Sequence, residues 1–416
     1  MNWRSLFVGN NFLINNTYNI ERDYEVIERK GKGHPDTMSD ALAERLSNVY
    51  SKYCLDNFDV ILHHNFDKVG MMGGISEVGF CIGKIASPIR VLINGRASDQ
   101  FGDQVIPLRE MLEAETIKFF KEYFPHINDI KSILRIMWEV ASGSSPGAVV
   151  DTKSYRHYWF KPRNKDDLSE TKSLNCNDTS MGQAYYGNTK LERLVLDVED
   201  TLNSDECKKK FPWIGSDIKI MCFRLGKSVS FTLCIPQISV FVKDVADYMN
   251  NLDLARAIIL ETANKVCPDY DVAININMRD KITPENVDLY LTYTGSSIEM
   301  GDEGFVGRGN RIGGLITPNR SYSMEGICGK NPVYHTGKIY SAFAYEICKE
   351  IYEKFSIMCE AILIGQTGQS LVDPHKIIIN CCGGMLTEYD LLPLIKKAIN
   401  PVVTTSKIIN AEYKFY

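Results

Sequence analysis

Residues 301–337 read GDEGFVGRGNRIGGLITPNRSYSMEGICGKNPVYHTG and hold nine of the chain's 30 glycines. Arg308, Arg311, Arg320, Lys330 and, just beyond, Lys338 are set among them, with Asp302 and Glu303 at the start. Glycine lets backbone N–H groups approach an anion closely and take up positive φ. Cationic side chains beside bare backbone suit a polyphosphate, and a nearby carboxylate suits its magnesium. A long surface loop with solvated charges would show the same composition. The standard nucleotide folds do not account for the segment. Gly226-Lys227-Ser228 lacks the upstream glycine of a P-loop, because position 221 is Met. Gly307-x-Gly309 is followed by Ile312, where a dinucleotide loop needs glycine.

Working outward, residues 28–36 read ERKGKGHPD. Pro35 and Asp36 suit a helix start. His34 and Asp36 would then flank free N–H groups at the positive end of the helix dipole, a natural anion site. Asp36 could equally be a cap and nothing more, and His34 a satisfied structural histidine. A third cluster is His63-His64-Asn65-Phe66-Asp67, at the end of an expected strand. Adjacent histidines on a strand point to opposite faces, so the pair does not suit zinc. One histidine, Asn65 and Asp67 could line a pocket there.

The 416 residues exceed one ordinary core, and two or three domains or fused modules are expected. A hydrophobic fraction of 44% supplies enough apolar material without disulfide or metal staples. The net charge of -5 argues against a general nucleic-acid binder. Twelve cysteines at scattered spacings, with no CxxC, read as buried reduced thiols of a cytoplasmic protein. Residues 1–17 lack the pattern of a signal peptide, and no apolar run is long enough to span a bilayer, so no membrane partner is expected.

Branched apolar runs predict strands at 59–64, 88–94, 217–223, 228–242, 271–277, 287–293 and 376–380. The run 228–242 contains Pro236 and reads as one or two strands. Helical spacing follows Asp36 and recurs at 191–202, 243–265 and 338–355. Residues 161–177 read as an exposed loop. The chain is α/β or α+β by this alternation, and the strand order is not legible.

Taken together the clusters resemble the S-adenosylmethionine synthetase family in its archaeal-type branch. The matching blocks are ERKGKGHPD at 28–36, ILHHNFD at 61–67, NGRA at 94–97, NDTS at 177–180, LERLVLDVEDTLNSDE at 191–206, GSDIKIM at 215–221, EMGDEGFVGRGNRIGGLITP at 299–318 and GKNPVYHTGKIY at 329–340. They run in family order over nearly the whole chain. The resemblance implies an α+β fold of three similar βαββαββ-type modules with pseudo-threefold symmetry and flat mixed sheets. The modules are expected at 20–125, 126–285 and 286–416, interleaved in space. It also implies a homodimer with active sites at the subunit interface.

The implied reaction is a displacement in which methionine sulfur attacks C5′ of ATP. The triphosphate leaves and is then cleaved to pyrophosphate and phosphate. Sulfur needs no strong base, so the difficulty is charge building on the leaving group, which cations can stabilise. By the resemblance His34 sits at the departing oxygen, and Asp36 binds Mg²⁺, with K⁺ a second candidate ion. Lys219, Arg308 and Lys330 hold phosphate. Glu28, Asp217 and Asp302 are active-site acids, and Arg311 is a further basic contact. His64, Asn65, Asp67 and His335 are ligand-binding candidates. Each could also serve structure alone, Glu28 and Arg311 in ion pairs especially.

Some positions depart from the family pattern. Ala141-Ser142-Gly143-Ser144-Ser145-Pro146-Gly147 stands where a GQGS-x-D-type loop is expected, and Asp151 is the nearest acid. Phe66, Lys68, Tyr334 and the Asn277-Met278-Arg279-Asp280 stretch also differ. These changes predict an altered nucleophile or nucleoside pocket. The alternative functions are therefore a divergent adenosyltransferase using a methionine analogue or other acceptor, and a non-catalytic nucleotide-binding homologue.

Overall fold

The computed structural model describes residues 5–8, 11–19, 22–143 and 158–416. Three principal sheets organise it. The first has four strands in the order Asp271–Ile276, Ser228–Cys234, Lys219–Leu225, Tyr24–Lys30. The second follows the path Leu134–Ala141, Ile89–Ala97, Gly70–Met72, Gly304–Phe305, with His64–Asn65 also paired to Ile89–Ala97. The third runs Ser5–Val8, Phe12–Tyr18, Lys376–Cys382, Cys359–Ile364, Met181–Tyr186. Each sheet contains both parallel and antiparallel pairs, so the architecture is α+β with mixed sheets.

Each sheet closes its own core. Lys190–Leu202 and Val245–Val266 contribute Leu194, Val198, Tyr248 and Ile259 to a cluster with Ile220, Phe231 and Leu233 of the first sheet. Pro35–Phe58 and Leu108–Tyr123 cover the second, with Leu42, Leu46 and Phe120 against Val91 and Ile93. Thr336–Phe355 covers the third, with Ile339, Phe343 and Ile347 against Ala361, Leu363 and Ile379. Nine of the twelve cysteines are buried, and all are free thiols. Among the described residues no helix is long and apolar enough to cross a membrane.

Several expected elements shift. The run 59–64 is not a strand beyond His64–Asn65. Asp59 ends the preceding helix in the left-handed conformation, and Leu62 O is taken by the His64 ring and the Asn331 amide instead of a ladder. The run 228–242 ends as a long strand at Cys234, before Pro236, and 287–293 divides into two short strands. Residues 161–177 are not uniformly exposed: Pro162, Asp167, Leu168 and Cys176 are buried, and Arg163 clasps Asp167 at 2.8 Å.

Candidate active site

Tyr24–Lys30 is an edge strand, and the glycine-rich segment lies along its free side. The Val26, Glu28 and Lys30 N–H groups donate to Asn319 Oδ1 at 3.4 Å, Ile316 O at 2.8 Å and Asn310 Oδ1 at 3.0 Å. Ile316 N returns a bond to Glu28 O at 2.9 Å, and Asn310 Nδ2 one to Lys30 O at 2.8 Å. The segment is thus a partner of the strand that leads into the GHPD turn, not a free surface loop.

The turn is pinned from both sides. Gly33 N donates to Ser216 O at 2.9 Å, and Ser296 Oγ donates to Gly33 O at 2.7 Å. A Cβ on Gly33 would lie 2.6 Å from the Ser216 carbonyl carbon, and one on Gly304 would lie 2.1 Å from Pro35 O. Only glycine permits these approaches.

His34, not Asp36, caps the helix Pro35–Phe58: its Nδ1 accepts the Asp36 N–H at 3.2 Å. Burial pushes the His34 pKa below its ordinary value, against the pull of Asp217 and Asp36. The neutral ring therefore carries its proton on Nε2, which is left as a donor. The Asp36 carboxylate does different work. Oδ1 accepts the Phe305 N–H at 3.1 Å and Oδ2 lies 2.8 Å from Lys30 Nζ, which also donates to Arg308 O at 2.8 Å.

Asp36 begins a row of acids at four-residue steps along one helix face. Asp40 Oδ1 accepts the Gly307 N–H at 2.8 Å, and Glu44 Oε2 accepts the Gly329 N–H at 2.9 Å. Lys338, fully buried, pairs with both Glu44 oxygens at 2.8 and 2.7 Å and donates to Lys330 O at 2.9 Å. Burial raises the Asp40 carboxyl to about 7, although the Gly307 N–H and the Arg311 charge both oppose this.

Around His34 the chain gathers further charge. Asp217 is buried, which raises its pKa, and its Oδ2 takes the Ser297 N–H at 2.9 Å. Ser297 Oγ lies 2.6 Å from Asp217 Oδ2 and 3.0 Å from Asp302 Oδ2, so one hydroxyl links two carboxylates. Lys219 pairs with Glu28 at 3.3 Å. Arg308 is exposed. Arg311 turns back instead, donating to Gly307 O at 2.9 Å with its guanidinium over the Tyr322 ring.

A second group forms near the other end of the acid row, about 12 Å along the helix axis for eight residues at 1.5 Å each. Lys330 pairs with Glu325 and lies 3.6 Å from Asp67. Asn65 Oδ1 accepts the Asn331 N–H at 3.1 Å. His335 caps Thr336–Phe355, and burial holds it well below its ordinary pKa. His64 is placed in the core: Nε2 lies 2.7 Å from Ser47 Oγ, and burial lowers its pKa to about 3.

The S-adenosylmethionine synthetase family model matches residues 13–406. This chain belongs to the S-adenosylmethionine synthetase family. It is 36% identical to the S-adenosylmethionine synthase of Aeropyrum pernix over 405 residues, covering 94% of this chain and 95% of the relative. It is 38% identical to that of Saccharolobus islandicus over 374 residues, covering 88% and 87%. Its fold is similar to that of a solved S-adenosylmethionine synthetase from Campylobacter jejuni, with a TM-score of 0.53, 14% identity and coverage of 93% and 88%.

Within this synthetase family the departures from pattern acquire a physical reading. Phe66 is fully buried and packs edge-on against Tyr50. The Tyr334 hydroxyl lies 2.6 Å from His63 Nδ1 in a buried aromatic cluster. Asn277 forms a tight turn at φ 50, bonding Ile235 through both ends of its amide, and Asp280 accepts the Tyr248 hydroxyl at 2.5 Å. Phe66 and Tyr334 are thus packing changes, whereas Met278 and Arg279, the two positions of their stretch that differ, are exposed, and Lys68 pairs with Asp67 at 2.6 Å. Residues 144–147 and Asp151 lie outside the described residues.

Sequence reading missed Lys30, Asp40, Glu44 and Ser297. The signal for two of them was available: carboxylates at 36, 40 and 44 share one face of a helix whose start had been read.

Proposed function

We infer that this chain transfers the adenosyl group of ATP to the sulfur of methionine, releasing the triphosphate chain, which is then cleaved to pyrophosphate and phosphate. The observation that supports this reading most is His34 at the pinned turn, with Nε2 as a donor in the field of Lys30 and Lys219. Sulfur attacks C5′ as the C5′–O bond breaks. The charge appears on the leaving oxygen, where the His34 Nε2–H and the cations act. The donor set also fits Mg²⁺ bound to triphosphate. Asp36 and Asp302 offer hard carboxylate oxygens, and magnesium commonly takes one or two carboxylates with the substrate's phosphates. When bound, magnesium would neutralise charge on the leaving chain. Lys30 holds Asp36 in place beside it. The family membership and the packing roles of Phe66 and Tyr334 favour methionine over another acceptor.

The working unit in this reading is a homodimer. Tyr24, Met221, Phe223 and Leu225 share the outer face of the first sheet, 44, 42, 44 and 58% exposed. Glu28 and Lys219 lie on that same face by the two-residue period of their strands. Pairing through it buries the apolar stripe and sets a partner's Lys330 group over the His34 group, completing each site from two chains. The three sheets with their helices are read as three related modules about a pseudo-threefold axis.

The test is incubation with ATP, Mg²⁺ and methionine, followed by mass spectrometry for S-adenosylmethionine, pyrophosphate and phosphate. Runs in potassium and in lithium salts report the monovalent-ion requirement. Formation of ADP or AMP alone would overturn the reading.

A further inference from the structure

On the reverse side of the wall that carries His34 and Asp217 lies a second cleft, of about 240 Å³. Lys32, Ser216 and Thr294 border it. Each is next in sequence to a part of the catalytic wall. Lys32 precedes Gly33, whose N–H donates to Ser216 O at 2.9 Å; Ser216 precedes Asp217; and Thr294 precedes Gly295, whose carbonyl accepts the Asp217 N–H at 3.1 Å. The cleft and the catalytic face are thus two sides of one layer of backbone.

Two cations share this cleft. Lys208 Nζ donates to Ile214 O and Gly215 O at 2.8 Å each. Lys32 Nζ lies 5.3 Å from the centre of the Tyr123 ring. Among the described residues neither forms an ion pair. Of the carboxylates lining the cleft, Glu122 is held by Arg45 at 2.9 Å, and Asp205 opens the helix Asp205–Lys210. His126 spends Nε2 on Tyr293 O at 2.6 Å. Burial, reinforced by the Lys32 charge, pushes the Lys208 ammonium down to about 7, although Cys207 and Glu199 oppose this. A half-buried cation beside a second cation, with Glu122 already taken by Arg45 and Glu199 by Arg29, is costly, and an anion placed between them relieves both. Tyr123, Pro212 and Phe241 add flat apolar walls.

We propose that this cleft binds a small planar organic anion, its acidic group between Lys32 and Lys208 and its ring against the Tyr123 and Phe241 walls, and that occupancy is felt at the Ser216–Asp217 backbone. The class is a phosphorylated or carboxylated heteroaromatic compound, held apart from the triphosphate site.

Pyridoxal 5′-phosphate is the probe. Its aldehyde condenses with a neutral ε-amine, forming a C=N bond with loss of water, and borohydride delivers hydride to fix the adduct for peptide mapping. The full chain is labelled with the catalytic site occupied by a non-hydrolysable β,γ-imido ATP analogue. The expected result is saturable labelling at Lys208 that the analogue does not prevent, with the half-saturating concentration raised at least tenfold in K32Q. The labelled protein, freed of the analogue, should show at least a twofold change in turnover. Labelling that is linear in concentration, confined to other lysines, or unchanged in K32Q overturns the site. Saturated labelling with unaltered turnover overturns the coupling. Because K32Q changes an exposed side chain and K208Q removes the loop contacts to Ile214 and Gly215, the first variant carries the test if the second does not fold.

Discussion

Asp40 Oδ1 accepts the Gly307 N–H at 2.8 Å, one helical turn beyond Asp36, which accepts the Phe305 N–H. Two acids on one helix face therefore set the backbone on either side of Val306, just ahead of Arg308. Replacing Asp40 by Ala strands the N–H, at a cost of about 1–3 kcal/mol. D40A should lose stability in that range by urea unfolding and show a raised KM for ATP. D40N keeps an acceptor and should recover most of both.

The buried pair of Lys338 and Glu44 ties the Lys330 backbone to the same helix. Removing one partner leaves an uncompensated charge, costing about 3–5 kcal/mol. K338M should lower the unfolding free energy by that order. K338M/E44L should recover only part of it, since Gly329 N–H and Lys330 O then both lose a partner. Full recovery in denaturant titrations would show that those backbone contacts contribute little.

H34N separates capping from catalysis. The Asn side chain can still accept the Asp36 N–H, but it offers nothing at the Nε2 position. The expected outcome is a melting temperature close to that of the parent and a kcat lower by about 10²–10³-fold. Steady-state kinetics with calorimetry measures both.

Much of this site was legible because glycine, proline and charge leave local signatures. The GHPD turn could be read because Pro35 starts a helix whose apolar stripe follows at once. The pairing of residues 310–319 with the edge strand could not be read. Tyr24–Lys30 is rich in charge and resembles a surface segment, yet Arg29 is buried against Glu199 at 3.0 Å and Gly314 O at 2.6 Å. Local propensity does not report a partner some 170 residues away. The same limit explains 59–64, where branched residues suggested a strand and tertiary hydrogen bonds took the carbonyl of Leu62.

Acid should destabilise the fold, and Asp40 should moderate the effect. Burial lowers His63 to about 4 and His64 to about 3 from ordinary values of 6.5. Their contribution is present above pH 6.5 and declines as pH falls through their folded values, because the unfolded chain takes up two more protons. Asp40, raised to about 7 from 3.8, acts in the opposite sense: its contribution is full below 3.8 and is lost as pH rises through 7. Between roughly pH 4.5 and 6 these three groups leave one net proton, or about 1.4 kcal/mol per pH unit. D40N removes the opposing group, and the slope should steepen by about 1.4 kcal/mol per pH unit in unfolding curves taken across that window.

The apolar stripe on the first sheet offers a test of assembly. F223K places a charge in the centre of the exposed face. The expected outcome is a monomer by light scattering, with turnover lost although the cores are untouched. A monomer that retained parental turnover would show that each site is complete within one chain.

An edge strand with unpaired amides is an invitation to neighbouring molecules, and Tyr24–Lys30 declines it through Asn310, Ile316 and Asn319. The segment proposed to grip phosphate is at the same time the guard of that edge. Mutations that loosen it for the sake of broader substrate use would therefore be expected to surface first as aggregation during expression, before any change in chemistry could be measured.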